Sequence, residues 1–354
     1  MTVYWLVTFV SYIFAKAYDK LHEHRLRGYR SDGLELAALV ACALVLICVT
    51  GFRYQVGADY PAYQNYFYQV LFGAGEGRFE YGYYLLNLAC TWVTDNPRVM
   101  FVASAALFYT LVIVAVKRMS PDVSLSVFLL MGCGFFFYFT NGTRQMLAAA
   151  FVLLALTTLG KKHNLYFVAL VLLGSLFHLS AIVCLLVLVL YRVPVNGKTI
   201  LVIALLCLLF TRFLPAVAET VAVAFGYGDY LDSDAFTART GLVQIAINLC
   251  ILVFGLVMYL RSDGKDGCLR VCVLMQLVAF VLSLMTGQIV LIQRIQQLFA
   301  FPQVVMIPKA LACIETRQMR WLVRLAVILV YVIYMYITVG LWNSNYVLPY
   351  RWSL

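Results

Sequence analysis

The chain has 354 residues, of which 64 % are hydrophobic and only 12 % charged, with a formal net charge of +10. A soluble domain carries about 25 % charged and about 45–50 % apolar residues, so this composition excludes one and describes an integral membrane protein. The apolar runs suit helices, which need roughly 20 residues to cross a bilayer, and they lack the short alternating segments of a β-barrel.

Hydropathy and turn signals predict an all-α polytopic protein, a single integral membrane domain over residues 1–354 with periplasmic loops and short amphipathic helices. About twelve transmembrane helices are expected, at approximately 2–18, 34–51, 97–116, 122–140, 144–160, 164–177, 179–191, 199–217, 241–260, 269–287, 294–310 and 321–340. The first run reads as a retained helix, since no small-residue cleavage site follows it. Residues 80–94 (EYGYYLLNLACTWVT) are apolar but short, and predict a partly embedded helix within a first periplasmic loop, 52–96. A second periplasmic loop is expected over 212–240. The runs 164–177 and 179–191 are also short, which leaves a kinked or re-entrant hairpin around His178 open. The ten cysteines are scattered through apolar runs and read as small core residues. Cys268 and Cys272 lie four apart, with no second pair to complete a zinc site.

Orientation follows from the basic residues. With the N-terminus outside, all eight lysines fall in inner segments. The outer cations, Arg53, Arg78, Arg98, Arg144, Arg212, Arg239, Arg294 and Arg351, are all arginines. Topology requires no outer cations, so these arginines need another reason, and a planar guanidinium with five donors suits phosphate groups.

Four stretches carry candidate chemistry. The first outer loop holds twelve aromatic residues between Phe52 and Tyr84. Tyr54, Tyr60 and Tyr63 are candidates to pack on sugar rings, set against the ordinary interfacial aromatic belt. Asp59 is a candidate base for a hydroxyl or a loop-capping carboxylate, and Arg53 is either a ligand contact or its ion-pair partner. The second stretch is TNGTRQMLAAAF, 140–151, where Arg144 and Gln145 open an inward-running helix. An arginine at the positive end of a helix is unfavourable unless an anion compensates it, which points to a bound phosphate or pyrophosphate. The third is LFHLSA, 176–181, where His178 stands alone in apolar surroundings; it is either a structural residue or, as a neutral imidazole, a base. The fourth is GQIVLIQRIQQLFAFPQ, 287–303, where Arg294 lies among Gln288, Gln293, Gln296 and Gln297. These are either polar contacts between helices or a second ligand site. No P-loop, HExxH or GxSxG motif is present, and Asp232 and Asp234 sit in what reads as a solvated loop.

FRYQVGADYPAY (52–63), NGTRQMLAAA (141–150) and FHLSA (177–181), in this order, resemble the EpsG-like group of Wzy-type polysaccharide polymerases. IQRIQQLF (292–299) is a weaker match, and Ala58 stands where a hydroxylated residue is expected. The resemblance implies a GT-C-like glycosyltransferase architecture in the bacterial inner membrane, with its active site facing the periplasm. It implies a polymerase that takes undecaprenyl-pyrophosphate-linked glycans as donor and acceptor and transfers the growing chain to the non-reducing end of an incoming unit. No cofactor, metal or nucleic acid is expected; a chain-length regulator and a flippase are expected partners. Asp59, His178, Arg144 and Arg294 are then the expected catalytic residues. Arg53, Tyr54, Tyr60, Tyr63, Gln145, Gln293 and Gln297 are the expected substrate contacts. The alternatives are a lipid-linked sugar flippase and an O-antigen-ligase-like glycosyltransferase.

Overall fold

The computed structural model describes residues 1–28, 31–160, 164–224, 241–262, 264, 266–284 and 290–352, without the side chains of 211, 214–224, 290 and 291. In chain order its helices are α1 (Thr2–Leu26), α2 (Asp32–Gly51), α3 (Tyr60–Leu71), α4 (Tyr81–Thr91), α5 (Arg98–Met119), α6 (Val123–Gly132), α7 (Phe135–Asn141), α8 (Thr143–Leu156), α9 (Asn164–Ser175), α10 (Val187–Leu190), α11 (Gly197–Ala224), α12 (Leu242–Arg261), α13 (Gly267–Ser283), α14 (Val290–Ala300), α15 (Gln303–Ala312) and α16 (Arg317–Met335). A 3₁₀ helix, Leu179–Leu186, precedes α10, and a π-helical turn, Tyr336–Leu341, extends α16. The chain forms two compact units, Met1–Leu179 with Ile314–Leu354, and Ser180–Cys313.

Among the described residues, four helical segments are long and apolar enough to cross a membrane: α2, α5, α12 and Arg317–Leu341. The pair α6 and α7 makes a fifth if it is one bent span. The Arg317–Leu341 segment leaves Leu322, Leu325, Leu329 and Ile333 exposed, an apolar face suited to lipid. The all-α membrane class therefore holds, but several of the twelve expected spans take other forms. The run 122–140 is not one straight helix: α6 and α7 meet at 52°, where Gly134 adopts φ +86°, a conformation open to glycine without steric cost. The run 294–310 is interrupted at Phe301–Pro302, because proline has no N–H to continue the α14 ladder. The run 179–191 is mostly 3₁₀, and α8 and α9 have only 14 and 12 residues. Helix α11 continues to Ala224, so the first part of the expected loop 212–240 is helical; its remainder lies outside the described residues.

In the first unit α1 packs on α2 and α6, α2 on α5, α5 on α8, and α8 on α9. The ends of α2 and α7 are joined by one side chain. Arg53 is 2 % exposed and lies over the Phe101 ring, with 4.7 Å from Cζ to the ring centroid. It donates to the Thr50 carbonyl at 2.8 Å and to the Thr140 carbonyl at 3.2 Å. Helix C-termini leave carbonyls without intrahelical donors and favour a cation, so one guanidinium satisfies two of them. Where the sequence offers Arg53 as a ligand contact or a partner of Asp59, the structure gives it two backbone carbonyls. The segment after α16 packs on the same place. Trp352 forms an antiparallel bridge with Arg53, Tyr54 N–H donates to the Arg351 carbonyl at 2.9 Å, and Tyr4 Oη donates to the Val347 carbonyl at 2.8 Å.

In the second unit α13 is central, contacting α10, α11, α12, α14 and α15. Buried amides link it to α12 and α15. Gln276 Nε2 donates to Asn248 Oδ1 at 3.1 Å, and Gln303 Nε2 donates to Asn248 Oδ1 at 3.0 Å and to Gln276 Oε1 at 2.9 Å. Asp266 accepts from the N–H groups of Cys268 and Leu269 and pairs with Lys309 at 2.8 Å, closing the N-terminus of α13.

Arg53→Met will leave two buried carbonyls without their charged donor. We expect a loss of about 3 kcal/mol in thermal unfolding of the detergent-solubilised protein, from hydrogen bonds to a charged group. Arg53→Lys will recover only part of it, because one ammonium lacks the guanidinium fork.

Candidate functional site

Three sequence-distant segments of the first unit meet at one carboxylate. Glu80 precedes α4, Arg144 lies in the first turn of α8, and His178 follows α9. Arg144 Nη1 donates to Glu80 Oε2, and His178 Nδ1 lies 2.7 Å from Glu80 Oε1. The Arg144 guanidinium lies over the Phe79 ring, with its Cζ 3.8 Å from the centroid. The three side chains are 18 % (Arg144), 19 % (Glu80) and 11 % (His178) exposed. An ion pair so sheltered is costly to desolvate, and it depends on good geometry and further hydrogen bonds.

Local sequence explains the convergence. Gly82 N–H donates to the Leu176 carbonyl at 2.8 Å, and a Cβ at Gly82 would also lie 2.8 Å from that oxygen. Glycine therefore lets the start of α4 approach the end of α9, bringing Glu80 to His178. Gly174 similarly allows α9 onto α8, where a Cβ would lie 3.1 Å from the Ala148 carbonyl. Phe151 and Phe177 stack across this contact at 5.5 Å. The turn at Asn141–Thr143 starts α8 and aims Arg144. Tyr63 Oη donates to the Asn141 carbonyl at 2.8 Å, and Asn141 Nδ2 donates to the Asn345 carbonyl at 3.0 Å. Gly57, at φ +95°, fits beneath this turn; a Cβ there would lie 2.7 Å from Asn141 Oδ1.

The structure revises several sequence expectations. His178 is not alone among apolar groups, because a carboxylate holds its Nδ1. The anion beside Arg144 is the chain's own Glu80, so the unfavourable position at a helix N-terminus does not by itself require a ligand. Where the sequence predicts a partly embedded helix over 80–94, the structure has α4 over Tyr81–Thr91; the sequence reading gives Glu80 no role, and its signal is an acidic residue between Phe79 and Tyr81 in an aromatic run. Tyr60 and Tyr63 are buried, contrary to a role as open sugar platforms. Tyr60 stacks on Phe101 at 4.5 Å, and Tyr63 packs with Phe79 and Tyr83. Tyr54 is 41 % exposed, and Asp59 is exposed at the start of α3. Gln145 is buried and accepts from Tyr138 Oη at 2.8 Å. Gln293, Arg294 and Gln297 lie on α14 of the second unit. Gln288, Asp232, Asp234 and His163 fall outside the described residues.

The electrostatics of Glu80 are unequal contributions with opposite signs. Burial opposes its ionisation most strongly, but the hydrogen bond from His178 and the charge of Arg144 outweigh it and bring its pKa down to about 2. The carboxylate is thus ionised across the physiological range. It can fix the ring orientation of His178 and hold Arg144 extended.

These features define a multi-pass helical membrane protein whose first unit holds an arginine–carboxylate–imidazole cluster beneath an aromatic loop. Residues 36–352 match the model of the EpsG family, and the chain belongs to that family. The match covers nearly the whole chain, and membership supports a polysaccharide polymerase acting by glycosyl transfer. No match was found among curated proteins or among solved structures.

Glu80 also sets a pH dependence. Its folded-state pKa is depressed from the ordinary 4.5 to about 2, so the unfolded chain binds the proton more readily in that interval. Its stabilisation is present above about 4.5 and falls as pH drops toward 2. We expect Glu80→Gln to unfold at lower temperature than wild type at pH 6, with the gap narrowing steadily as pH falls from 4.5 toward 2. A gap unchanged over that range will show that Glu80 is not the titrating group.

Proposed function

We propose that this EpsG-family protein joins polyprenyl-pyrophosphate-linked oligosaccharide units at the outer face of the bacterial inner membrane. The expected lipid carrier is undecaprenyl pyrophosphate, and the growing glycan passes to the non-reducing end of the incoming unit. The observation that carries this reading is the cluster of Arg144, Glu80 and His178, which unites the first outer loop with the beginning of α8 and the end of α9. A GT-C-like arrangement with about twelve crossings belongs to the same reading.

The chemistry requires one bond exchange and one proton transfer. The acceptor hydroxyl attacks the anomeric carbon of the donor, forming a carbon–oxygen bond as the bond to the pyrophosphate oxygen breaks. The hydroxyl proton passes to Nε2 of His178, whose Nδ1–H is held by Glu80; the carboxylate fixes the tautomer and stabilises the imidazolium that forms. The lipid pyrophosphate departs with the bonding pair, and Arg144 stabilises the charge that develops on it. Because Glu80 already pairs with Arg144, the pyrophosphate must share or displace that carboxylate. Asp59 is the alternative base, and Arg294 with Gln293 and Gln297 is assigned an anion contact that its own alanine variant tests.

The purified protein in liposomes, given a synthetic undecaprenyl-pyrophosphate repeat unit and a chelator without nucleotide sugar, should form a ladder spaced by whole units. His178→Ala should slow each joining step by ~10²–10⁴, the usual contribution of a positioned base. Arg144→Lys should remain defective despite its retained charge, because it loses the planar fork. Movement of the unit between leaflets without a ladder will instead establish the flippase. Joining a unit only to a different glycan acceptor will establish the ligase. Full activity of Arg144→Ala and His178→Ala will remove the cluster from the mechanism.

A further inference from the structure

The segment after α16 has features that its packing role leaves unexplained. It is tied by backbone contacts to residues 53–57 of the first loop. Trp352 bridges Arg53, the Arg351 carbonyl accepts from Tyr54 N–H at 2.9 Å, and the Tyr346 carbonyl accepts from Gly57 N–H at 3.0 Å. The aromatic side chains brought together are largely open: Tyr54 is 41 %, Tyr346 69 % and Trp352 63 % exposed. Arg351 beside them is exposed as well.

The backbone there is held in an unfavourable form. Among described non-glycine residues, those with positive φ are Gln55 (+52°), Asn343 (+45°) and Tyr346 (+53°), all in this junction. Asparagine tolerates that region, but a bulky tyrosine does not adopt it without support. Asn343 supplies support: its Oδ1 accepts from the N–H groups of Val347 and Leu348 at 2.9 and 3.0 Å, and its Nδ2 donates to the Leu348 carbonyl at 3.0 Å. Strained residues held in place by neighbours concentrate at ligand sites. The junction is also continuous with the cluster, because the Asn345 carbonyl accepts from Asn141, three residues before Arg144. An aromatic belt that only anchors the chain in lipid needs neither the strained presentation nor the link to that turn.

We propose that Tyr54, Tyr346 and Trp352, with Arg351, form a binding platform for the polysaccharide chain itself, rings stacking on sugar faces and the guanidinium donating to hydroxyl or carboxylate groups. The proposal rests on the polymerase reading for the source of its ligand. The C-terminal segment, rather than the buried tyrosines of the first loop, provides the open aromatic surface. A platform that holds the glycan while its lipid end turns over retains the growing chain between additions, and so sets product length.

The test uses the full-length protein in detergent and, as probe, extracellular polysaccharide purified from the source cells and freed of lipid. Wild type should bind it by titration of tryptophan fluorescence or by calorimetry. The double variant Tyr346→Gly/Trp352→Ala keeps a residue suited to positive φ at 346 and should bind about tenfold more weakly, a change of ~1.4 kcal/mol. In the liposome reaction it should yield a ladder truncated to short products. Tyr346→Phe/Trp352→Phe, which retains the rings, should restore both. Unchanged binding and product length in the first variant, or failure of the ring-retaining variant to rescue, overturns the proposal. So does loss of membrane insertion with glycan affinity intact, which identifies a lipid belt. Wild-type binding without any ladder leaves the platform standing and removes the polymerase, whereas a ladder without binding removes the platform alone.

Discussion

A helix that ends within an apolar layer leaves carbonyls that water does not reach. That constraint organises the first unit. Arg53 answers it for α2 and α7 together, placing one guanidinium on the carbonyls of Thr50 and Thr140. Thr140 and Thr143 make the same repair locally, their hydroxyls donating to Phe137 and Phe139 carbonyls at 2.7 and 2.8 Å. With its ends satisfied, the break between α7 and α8 can stand inside the protein. The turn at Asn141–Thr143 is then fixed from three sides, by Gly57, Tyr63 and the C-terminal segment.

That turn decides where Arg144 points, and Glu80 decides what it meets. Arg144 makes its ion pair with Glu80 in a sheltered place, so loss of that carboxylate would leave its charge uncompensated, and Glu80 contributes to folding before any substrate arrives. The same carboxylate holds His178. Structure and chemistry therefore use one group: the ion pair that permits Arg144 to be buried also presets the imidazole.

Several elements were legible in the chain itself. The membrane class follows from hydropathy, because long apolar runs with so few charges have no stable place in water. Arg144 and His178 stood out for a related reason: an arginine at a helix N-terminus and a histidine in an apolar run each conflict with their surroundings. Glu80 did not stand out, since an acidic residue between Phe79 and Tyr81 names no partner by itself. Its importance comes from Gly82, whose missing Cβ admits the Leu176 carbonyl, and a contact between residues so far apart leaves no local pattern. The burial of Tyr60 and Tyr63, in contrast to the exposure of Tyr54, was not legible for the converse reason. Composition marks an aromatic-rich stretch, but only packing distinguishes rings that pack against Phe101 and Phe79 from rings that stay open.

The sequence by itself determined the solvent, the helical class and the oddly placed polar residues, because hydropathy and helix-end electrostatics act over a few neighbouring residues. The tertiary structure alone decided the partners: that Arg53 serves two helix ends, that Glu80 joins Arg144 to His178, and that residues 346–352 lie on the first loop. Those choices depend on close backbone approaches at Gly57 and Gly82 between segments remote in sequence, where the absence of a Cβ matters only once the opposing chain is in place.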